Sequence, residues 1–223
     1  MLILTLDAST STIAVGLARV GDGRRDVLAE MSVSARGASE ALLPAVHAVL
    51  EIAGGELAEV DLILAGTGPG TFTGIRIAAA TSRSLSLGTG AALSANSTLA
   101  ALAAPALPVT GDVLAVIDAR RGQVFAQRFM DGGPAGEIFC VKPEDLRVDG
   151  MPLLAGDGAV RYREVLSRLG NIPPDDSPLH RVSAAGHILS ADLAVVAAVD
   201  LVPIYVREPD AEVRRDLNPW GRP

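Results

Sequence analysis

One structural plan occurs twice in this chain. Residues 2–7 (Leu-Ile-Leu-Thr-Leu-Asp) form an apolar run ending in Asp7, which passes through the small polar turn Ala8-Ser9-Thr10-Ser11 and resumes as apolar sequence from Thr12 to Ala18. Residues 113–118 (Val-Leu-Ala-Val-Ile-Asp) do the same. That run ends in Asp118, turns through Ala119-Arg120-Arg121-Gly122 and re-enters a strand pattern at Gln123 to Phe129. Aliphatic and β-branched runs bounded by turn residues are the signature of strands. Each half of the chain therefore opens as strand, aspartate, turn, strand. An aspartate at a strand end is also an ordinary turn former, and either role fits each residue taken alone.

The sequence between the repeats is mixed α/β. Asp26 to Val33 predicts a third strand. Ser39 to Ala53 predicts a helix with Leu42, Leu43, Val46, Val49, Leu50 and Ala53 along one stripe. Ser39 is the expected N-cap and Glu40 suits the positive end of the helix dipole. Pro44 removes a backbone hydrogen bond beyond the first turn, so an irregular start or a kink is expected. Gly54-Gly55 ends this helix, Val60 to Ala65 predicts a short buried strand, and Gly74 to Leu87 predicts a second helix closed by Gly88. Two adjacent α/β halves, each led by a hairpin, are the ground plan of the actin, sugar-kinase and heat-shock-chaperone ATPase superfamily, a duplicated ribonuclease H-like fold. In that plan the two aspartate turns face each other across a nucleotide cleft. The expected division is an N-terminal lobe over residues 1–108, a reduced C-terminal lobe over 109–207 and a charged tail over 208–223.

Composition narrows the function classes. Hydrophobic residues are 49% and aromatic residues only 3%, so the core must be built from small aliphatic side chains, which suits helices packed closely on sheets. The net charge is −7 and Lys142 is the single lysine. Strong direct binding of RNA or DNA, which needs a Lys/Arg surface to displace counterions, is not expected. Cys140 is the only cysteine, so no internal disulfide forms, and a reducing compartment is expected. No secretory leader is apparent at the N-terminus, and the alanine-rich stretch over 77–107 is broken by Arg83, Asn96, several glycines and Pro105. A cytoplasmic protein with no membrane span is the expectation.

Residues 66–74 (Gly-Thr-Gly-Pro-Gly-Thr-Phe-Thr-Gly) lie between a strand and a helix, where backbone N–H groups can hold an anion. Three phosphate-binding patterns fail on residue identity. A Walker A loop ends in Gly-Lys-Ser/Thr, but Ile75 and Arg76 follow Gly74. A dinucleotide fingerprint needs glycine at position 71, which is Thr71. A kinase-type loop needs a downstream lysine and metal-binding acids. A rigid Gly-Pro-Gly turn that lets the next helix approach closely is the structural reading, with Phe72 anchoring the loop or a contact surface and Arg76 pairing locally or across an interface. His47, His180 and His187 form no metal-binding pattern, and there is no G-x-S-x-G elbow. Cys140 is expected to be buried.

These blocks carry a resemblance. Thr5-Leu6-Asp7-Ala8-Ser9-Thr10, Ser39-Glu40-Ala41-Leu42-Leu43-Pro44, Gly68-Pro69-Gly70-Thr71-Phe72-Thr73-Gly74-Ile75-Arg76-Ile77 and Ile117-Asp118-Ala119-Arg120-Arg121-Gly122-Gln123-Val124-Phe125 resemble the TsaB (YeaZ) family in order and spacing. Pro203-Ile204-Tyr205-Val206-Arg207 is similar to its closing segment. Thr71 and Val206 depart mildly from that pattern, and the tail from Glu208 to Pro223, with Trp220, departs more. The resemblance implies a non-catalytic subunit of the machinery that makes threonylcarbamoyladenosine next to the anticodon of ANN-decoding tRNAs. It would form a heterodimer with the catalytic paralogue TsaD, with the ATPase TsaE joining them and tRNA contacted only indirectly. It implies no cofactor of its own, and ATP or ADP only at the interface with TsaD.

On that basis the expected partner-binding residues are Ser39, Leu42, Leu43, Val46, Leu50, Gly70, Phe72, Thr73, Arg76, Ala79 and Arg83. Small residues at Ala78, Ala79, Ala80, Ser82 and Ser84 would admit another helix, and the same patch would serve a homodimer when TsaD is absent. Asp7, Ser9, Thr10 and Asp118 are the residues expected near any nucleotide. The alternative is an active small-molecule kinase or ATPase using Asp7 and Asp118 with Mg²⁺. Against it, Gly156-Asp157-Gly158 offers only a fragment of an adenosine-binding loop.

Overall fold

The structure, a computed structural model, describes residues 1–34 and 37–206. The chain opens with β1 (Leu2–Asp7), β2 (Thr12–Gly21) and β3 (Arg24–Ser34). Then come α1 (Ala38–Ala53), β4 (Leu62–Gly66), α2 (Phe72–Thr89), β5 (Ala92–Asn96), α3 (Thr98–Ala103) and α4 (Leu107–Thr110). The second half contains β6 (Asp112–Arg120), β7 (Gln123–Met130), β8 (Gly133–Pro134), β9 (Phe139–Val141), β10 (Leu153–Ala155), α5 (Asp157–Arg161) and α6 (Arg163–Leu166). It closes with α7 (Ala184–Ser190) and β11 (Val195–Val196).

Two sheets form, with strand orders β11-β5-β4-β1-β2-β3 and β10-β6-β7-β8, and β9 also pairs with β7. The duplication extends to pairing. β1 runs antiparallel to β2 and parallel to β4, while β6 runs antiparallel to β7 and parallel to β10. The fold is therefore the duplicated α/β plan, with a smaller second sheet. β1 is covered on both faces, so its sequence is a continuous apolar run rather than an alternating one. Leu2, Leu4 and Leu6 enter the core that α1 and α2 cover, and Ile3 packs with Ile188 of α7 on the other side.

α3 and α7 fill the space between the sheets. α3 packs on α7 and β6, and Leu99 and Leu102 join Ala14, Ile117 and Phe125 in one cluster. The crossing is close because of Gly186, where a Cβ would stand 2.1 Å from the carbonyl oxygen of Ala101. This corrects the expected boundary of the second lobe at 109–207. β6 does begin a new sheet, but α7 packs on β1, β2 and β3, and β11 is an edge strand of the first sheet. Burial of Ile188 against Ile3 and Leu64 draws the chain back. Arg207 and the tail at 208–223, with Trp220, lie outside the described residues.

Helix ends differ from expectation in instructive ways. Gly37, not Ser39, is the N-cap of α1, and Ser39 is exposed in the first turn. Pro44 is also exposed and α1 continues through it, with Glu40, whose carbonyl loses its helical donor, on the exposed side as well. α2 begins at Phe72, where the Thr71 hydroxyl accepts the Gly74 N–H at 3.3 Å. It passes through Gly88 and ends at the left-handed Gly90. A glycine inside a helix only weakens it, whereas a left-handed one terminates it. No helix among the described residues is long and apolar enough to cross a membrane.

Candidate functional site

The two aspartates perform the same local task. Asp7 Oδ1 accepts the Ser9 N–H at 2.6 Å, and Asp118 Oδ1 accepts the Arg120 N–H at 3.0 Å. Each carboxylate thus builds the turn that follows its strand. Beyond that turn their surroundings diverge.

Asp7 is 1% exposed. Its Oδ2 accepts the Thr98 hydroxyl at 2.7 Å and lies 2.8 Å from His187 Nε2. Asn96 Nδ2 sits 3.1 Å from His187 Nδ1 and donates to Ser190 Oγ at 2.7 Å. With the Asn96 amide donating to Nδ1, Nε2 carries the proton that Asp7 accepts. Thr98 Oγ1 also accepts the Gly68 N–H at 3.1 Å and lies 3.2 Å from Ser9 Oγ. Asp7 therefore joins β1, β5, α3, α7 and the Gly-Pro-Gly loop at one buried point. Burial works to raise its carboxyl pKa, but His187, the Ser9 N–H and Thr98 together outweigh that and hold it below the usual carboxylate range. Sequence reasoning missed His187, Thr98 and Asn96 as partners of Asp7. The histidine is 180 residues away, and no local pattern marks it.

Asp118 lies at a different junction and is 7% exposed. Arg120 Nη1 and Arg161 Nε approach its Oδ2 at 3.3 and 3.6 Å, and Tyr162 donates to Oδ1 at 3.4 Å. Asp157 Oδ1 accepts the Asp118 N–H at 3.0 Å, and Ser11 donates to Asp157 Oδ2 at 3.5 Å. Burial pushes the Asp157 carboxyl up, and the neighbouring Asp118 carboxylate adds to this. With a folded pKa above the unfolded value, ionised Asp157 costs stability as pH rises through the folded pKa. Asp157→Asn keeps an acceptor for the Asp118 N–H, so it should raise Tm by ~2–4 °C at pH 7.5. The gain should shrink toward pH 4 in thermal unfolding, and an equal gain at both pH values would contradict this cause.

A cavity of about 370 Å³ lies where the two halves meet, lined by Thr10, Ser11, Leu102, Ile117, Asp157 and Arg161 among others. Of the four residues expected near a nucleotide, only Thr10 lines it. Asp7 and Ser9 are buried, and Asp118 points its carboxylate at Arg120, Arg161 and Tyr162. The expected pair of aspartates facing across an open cleft is thus corrected: each carboxylate is engaged by groups of this chain, Asp7 by Ser9, Thr98 and His187, and Asp118 by Arg120, Arg161 and Tyr162. Among the described residues no group of three or more His, Cys, Asp or Glu is placed to hold a metal ion. Cys140, expected buried, is half-buried against the second cluster.

Several backbone donors of the Gly-Pro-Gly loop and the first turn of α2 bond within the chain. Gly68 donates to Thr98, Thr71 to the Ser9 carbonyl at 2.7 Å, Gly74 to the Thr71 hydroxyl and Ile75 to the Thr71 carbonyl. Gly70 and Gly74 press on the first aspartate turn, where added Cβ atoms would stand 2.1 Å from Ser9 O and 1.9 Å from Ala8 O. The loop is packed against the β1–β2 turn rather than opened around a ligand.

The expected partner-binding residues divide by exposure. Leu42, Val46, Leu50 and Ala79 are buried in the core under α1 and α2, and Ala78 and Ser82 are buried with them. Gly70 packs on Ser9, and Arg83 donates to the Leu201 carbonyl at 2.7 Å. Burial takes Leu42 and Ala79 out of any docking surface. Ser39, Leu43, Phe72, Thr73 and Arg76 are exposed, as are Ala80, Ser84 and Leu87. Thr73, Arg76, Ala80, Ser84 and Leu87 recur at spacings of three and four, so they form one outer stripe of α2. Beside it, Leu43, Val46, His47, Leu50, Leu57 and Leu85 line a groove of about 550 Å³.

The family model for TsaD, tRNA N6-adenosine threonylcarbamoyltransferase, matches residues 31–143, half of the chain. An uncharacterised protein of Mycobacterium tuberculosis is 33% identical over 217 residues, covering 94% of this chain and 93% of that protein. The tRNA threonylcarbamoyladenosine biosynthesis protein TsaB of Escherichia coli is 35% identical over 127 residues, which is 56% of this chain and 53% of that one. Among solved structures, YeaZ from Pseudomonas aeruginosa superposes with a TM-score of 0.78 at 29% identity, covering 92% of this chain and 99% of that one. An activator of 2-hydroxyisocaproyl-CoA dehydratase from Clostridium difficile shares the fold alone, with a TM-score of 0.50 at 9% identity over 86% of this chain and 93% of that one. On these matches the chain belongs to the TsaB (YeaZ) family of tRNA threonylcarbamoyladenosine biosynthesis proteins.

Proposed function

We propose that this chain is a non-catalytic subunit that docks a TsaD-type threonylcarbamoyltransferase on the outer face of α1 and α2 and supports modification of the adenosine next to the anticodon. The observation that carries this reading is the enclosure of Asp7. Both of its oxygens are taken by donors of its own chain, while the α2 stripe and the α1–α2 groove stay open. In the superfamily plan the first aspartate turn faces the nucleotide cleft; here Asp7 serves as a structural pin. The acidic balance of −7 supports leaving tRNA contact mainly to partners. The proposal includes a TsaE-type ATPase joining the pair, ATP or ADP only at the shared interface, a homodimer through the same face when alone, and a cytoplasmic setting.

Reconstitution of tRNA modification from the transferase, the ATPase and the threonylcarbamoyl-adenylate synthase, with and without this chain, tests the role. Product formation at full rate without the chain would remove it. For the surface, Leu43→Arg and Ala80→Arg each place a charge on the exposed face. They are expected to weaken transferase binding by about 30-fold or more in calorimetry with Tm little changed. Ala79→Arg is expected to unfold the chain instead, because Ala79 is 3% exposed.

A further inference from the structure

The last described residues form a strap across α2. Leu201 is fully buried in the core beneath that helix, and its carbonyl accepts from Arg83 Nη2 at 2.7 Å. The Ile204 N–H donates to the Thr67 carbonyl at 2.8 Å. These anchors deliver Tyr205 to the start of α2. There its hydroxyl accepts from Arg76 Nε at 3.0 Å, and its ring centroid stands 5.5 Å from that of Phe72. The guanidinium carbon of Arg76 sits 3.5 Å from the Phe72 ring centroid. All three side chains are exposed, Phe72 at 38% and Tyr205 at 42%.

Among the described residues, Arg76 is therefore held in place without being neutralised. It makes no ion pair with any described residue, and its hydrogen bond to Tyr205 uses Nε. Stacking on an aromatic face fixes a guanidinium plane, and a fixed planar fork matches a carboxylate better than any point charge does. Immobilising the side chain before binding lowers the entropy lost on docking. The choice of anion follows from charge. At net −7 the molecule repels a polyanion at long range, whereas one carboxylate on a protein surface depends mainly on short contacts. Ala80, one helical turn on, keeps the same stripe low enough for a partner's backbone to approach.

We propose that the Phe72–Arg76–Tyr205 stack is a preorganised receptor for a single carboxylate of the protein that docks on the outer face of α2. This rests on the docking reading above and adds the chemistry of one contact. The test titrates the full chain and its Arg76→Ala, Arg76→Lys and Ala80→Arg variants into the threonylcarbamoyltransferase partner at 50 and 500 mM salt. Thermal unfolding checks that each variant folds.

Arg76→Ala is expected to weaken binding about 10- to 100-fold at low salt. Arg76→Lys should recover only part of that, since it restores charge without the stacked fork. The gap between wild type and Arg76→Ala should narrow at 500 mM salt. Undiminished affinity of a folded Arg76→Ala at both salts overturns the receptor while leaving the docking face intact, provided Ala80→Arg weakens binding. A loss that appears only when tRNA is titrated into the assembled complex assigns Arg76 to a phosphate and equally overturns the proposal. Failure of the wild-type chain to bind, or normal binding by Ala80→Arg, overturns the docking face and this contact with it.

Discussion

Replacing Asp7 with Ala is expected to lower the unfolding free energy by about 3–5 kcal/mol, measured by urea unfolding. The substitution strands the Ser9 N–H, the Thr98 hydroxyl and His187 Nε2 in a region with almost no access to water. A typical domain has only about 5–15 kcal/mol in total, so part of the chain should be unfolded at 37 °C. Asp7→Asn keeps one acceptor but turns an amide donor toward groups that also donate, and should cost roughly 1–3 kcal/mol. Because the Asp7 pKa is depressed in the fold, its contribution is present above the unfolded carboxylate pKa and is lost as pH falls through the folded one. Wild-type stability should therefore drop in acid below about pH 4, and the Asp7→Asn profile should be flatter there. A loss below 1 kcal/mol for Asp7→Ala would remove the pin and, with it, the main physical ground for a non-catalytic chain.

The second large effect is expected at Gly74. Its Cβ position is 1.9 Å from the Ala8 carbonyl oxygen, a backbone atom that cannot swing aside. Gly74→Ala must push α2 away from the β1–β2 turn, at a cost of about 3 kcal/mol or more. Gly88 provides a matched control in the same helix, since nothing stands within 4 Å of its Cβ position. Gly88→Ala should stabilise by about 0.5–1 kcal/mol through helix propensity. Opposite signs in chemical denaturation would separate close approach from propensity; two losses of similar size would contradict the packing reason. Gly74→Ala also tilts the stripe that carries Arg76 and Ala80, so transferase binding should fall along with stability.

Much of this was legible locally. A strand ending in aspartate, a small turn and a second strand is a short-range pattern, and it predicted both hairpins. Both carboxylates then accept an N–H two residues on, an interaction needing no distant partner. The failure of residues 66–74 to match a phosphate loop was also readable, because each phosphate motif demands a particular side chain. Helix existence was readable and helix ends were not. Gly37, Thr71 and Gly90 cap by backbone angle and hydrogen bond, and several neighbouring residues carry the same propensities.

What the tertiary structure alone decided is which side of each element faces the core and what each aspartate meets. A stripe of small residues at Ala78, Ala79, Ala80, Ser82 and Ser84 carries no hydrophobic contrast, so sequence could not say that three of these turn inward and two outward. Packing on β1, β4 and β5 decides it. Likewise Asp7 and His187 lie at opposite ends of the chain, joined only because α7 returns to the first sheet. The duplicated plan, the family and the failure of residues 66–74 to match a phosphate motif are all readable from the sequence, because they are written in residue type and spacing. The use of Asp7 as a pin, and the outward stack of Phe72, Arg76 and Tyr205, exist only once distant segments meet.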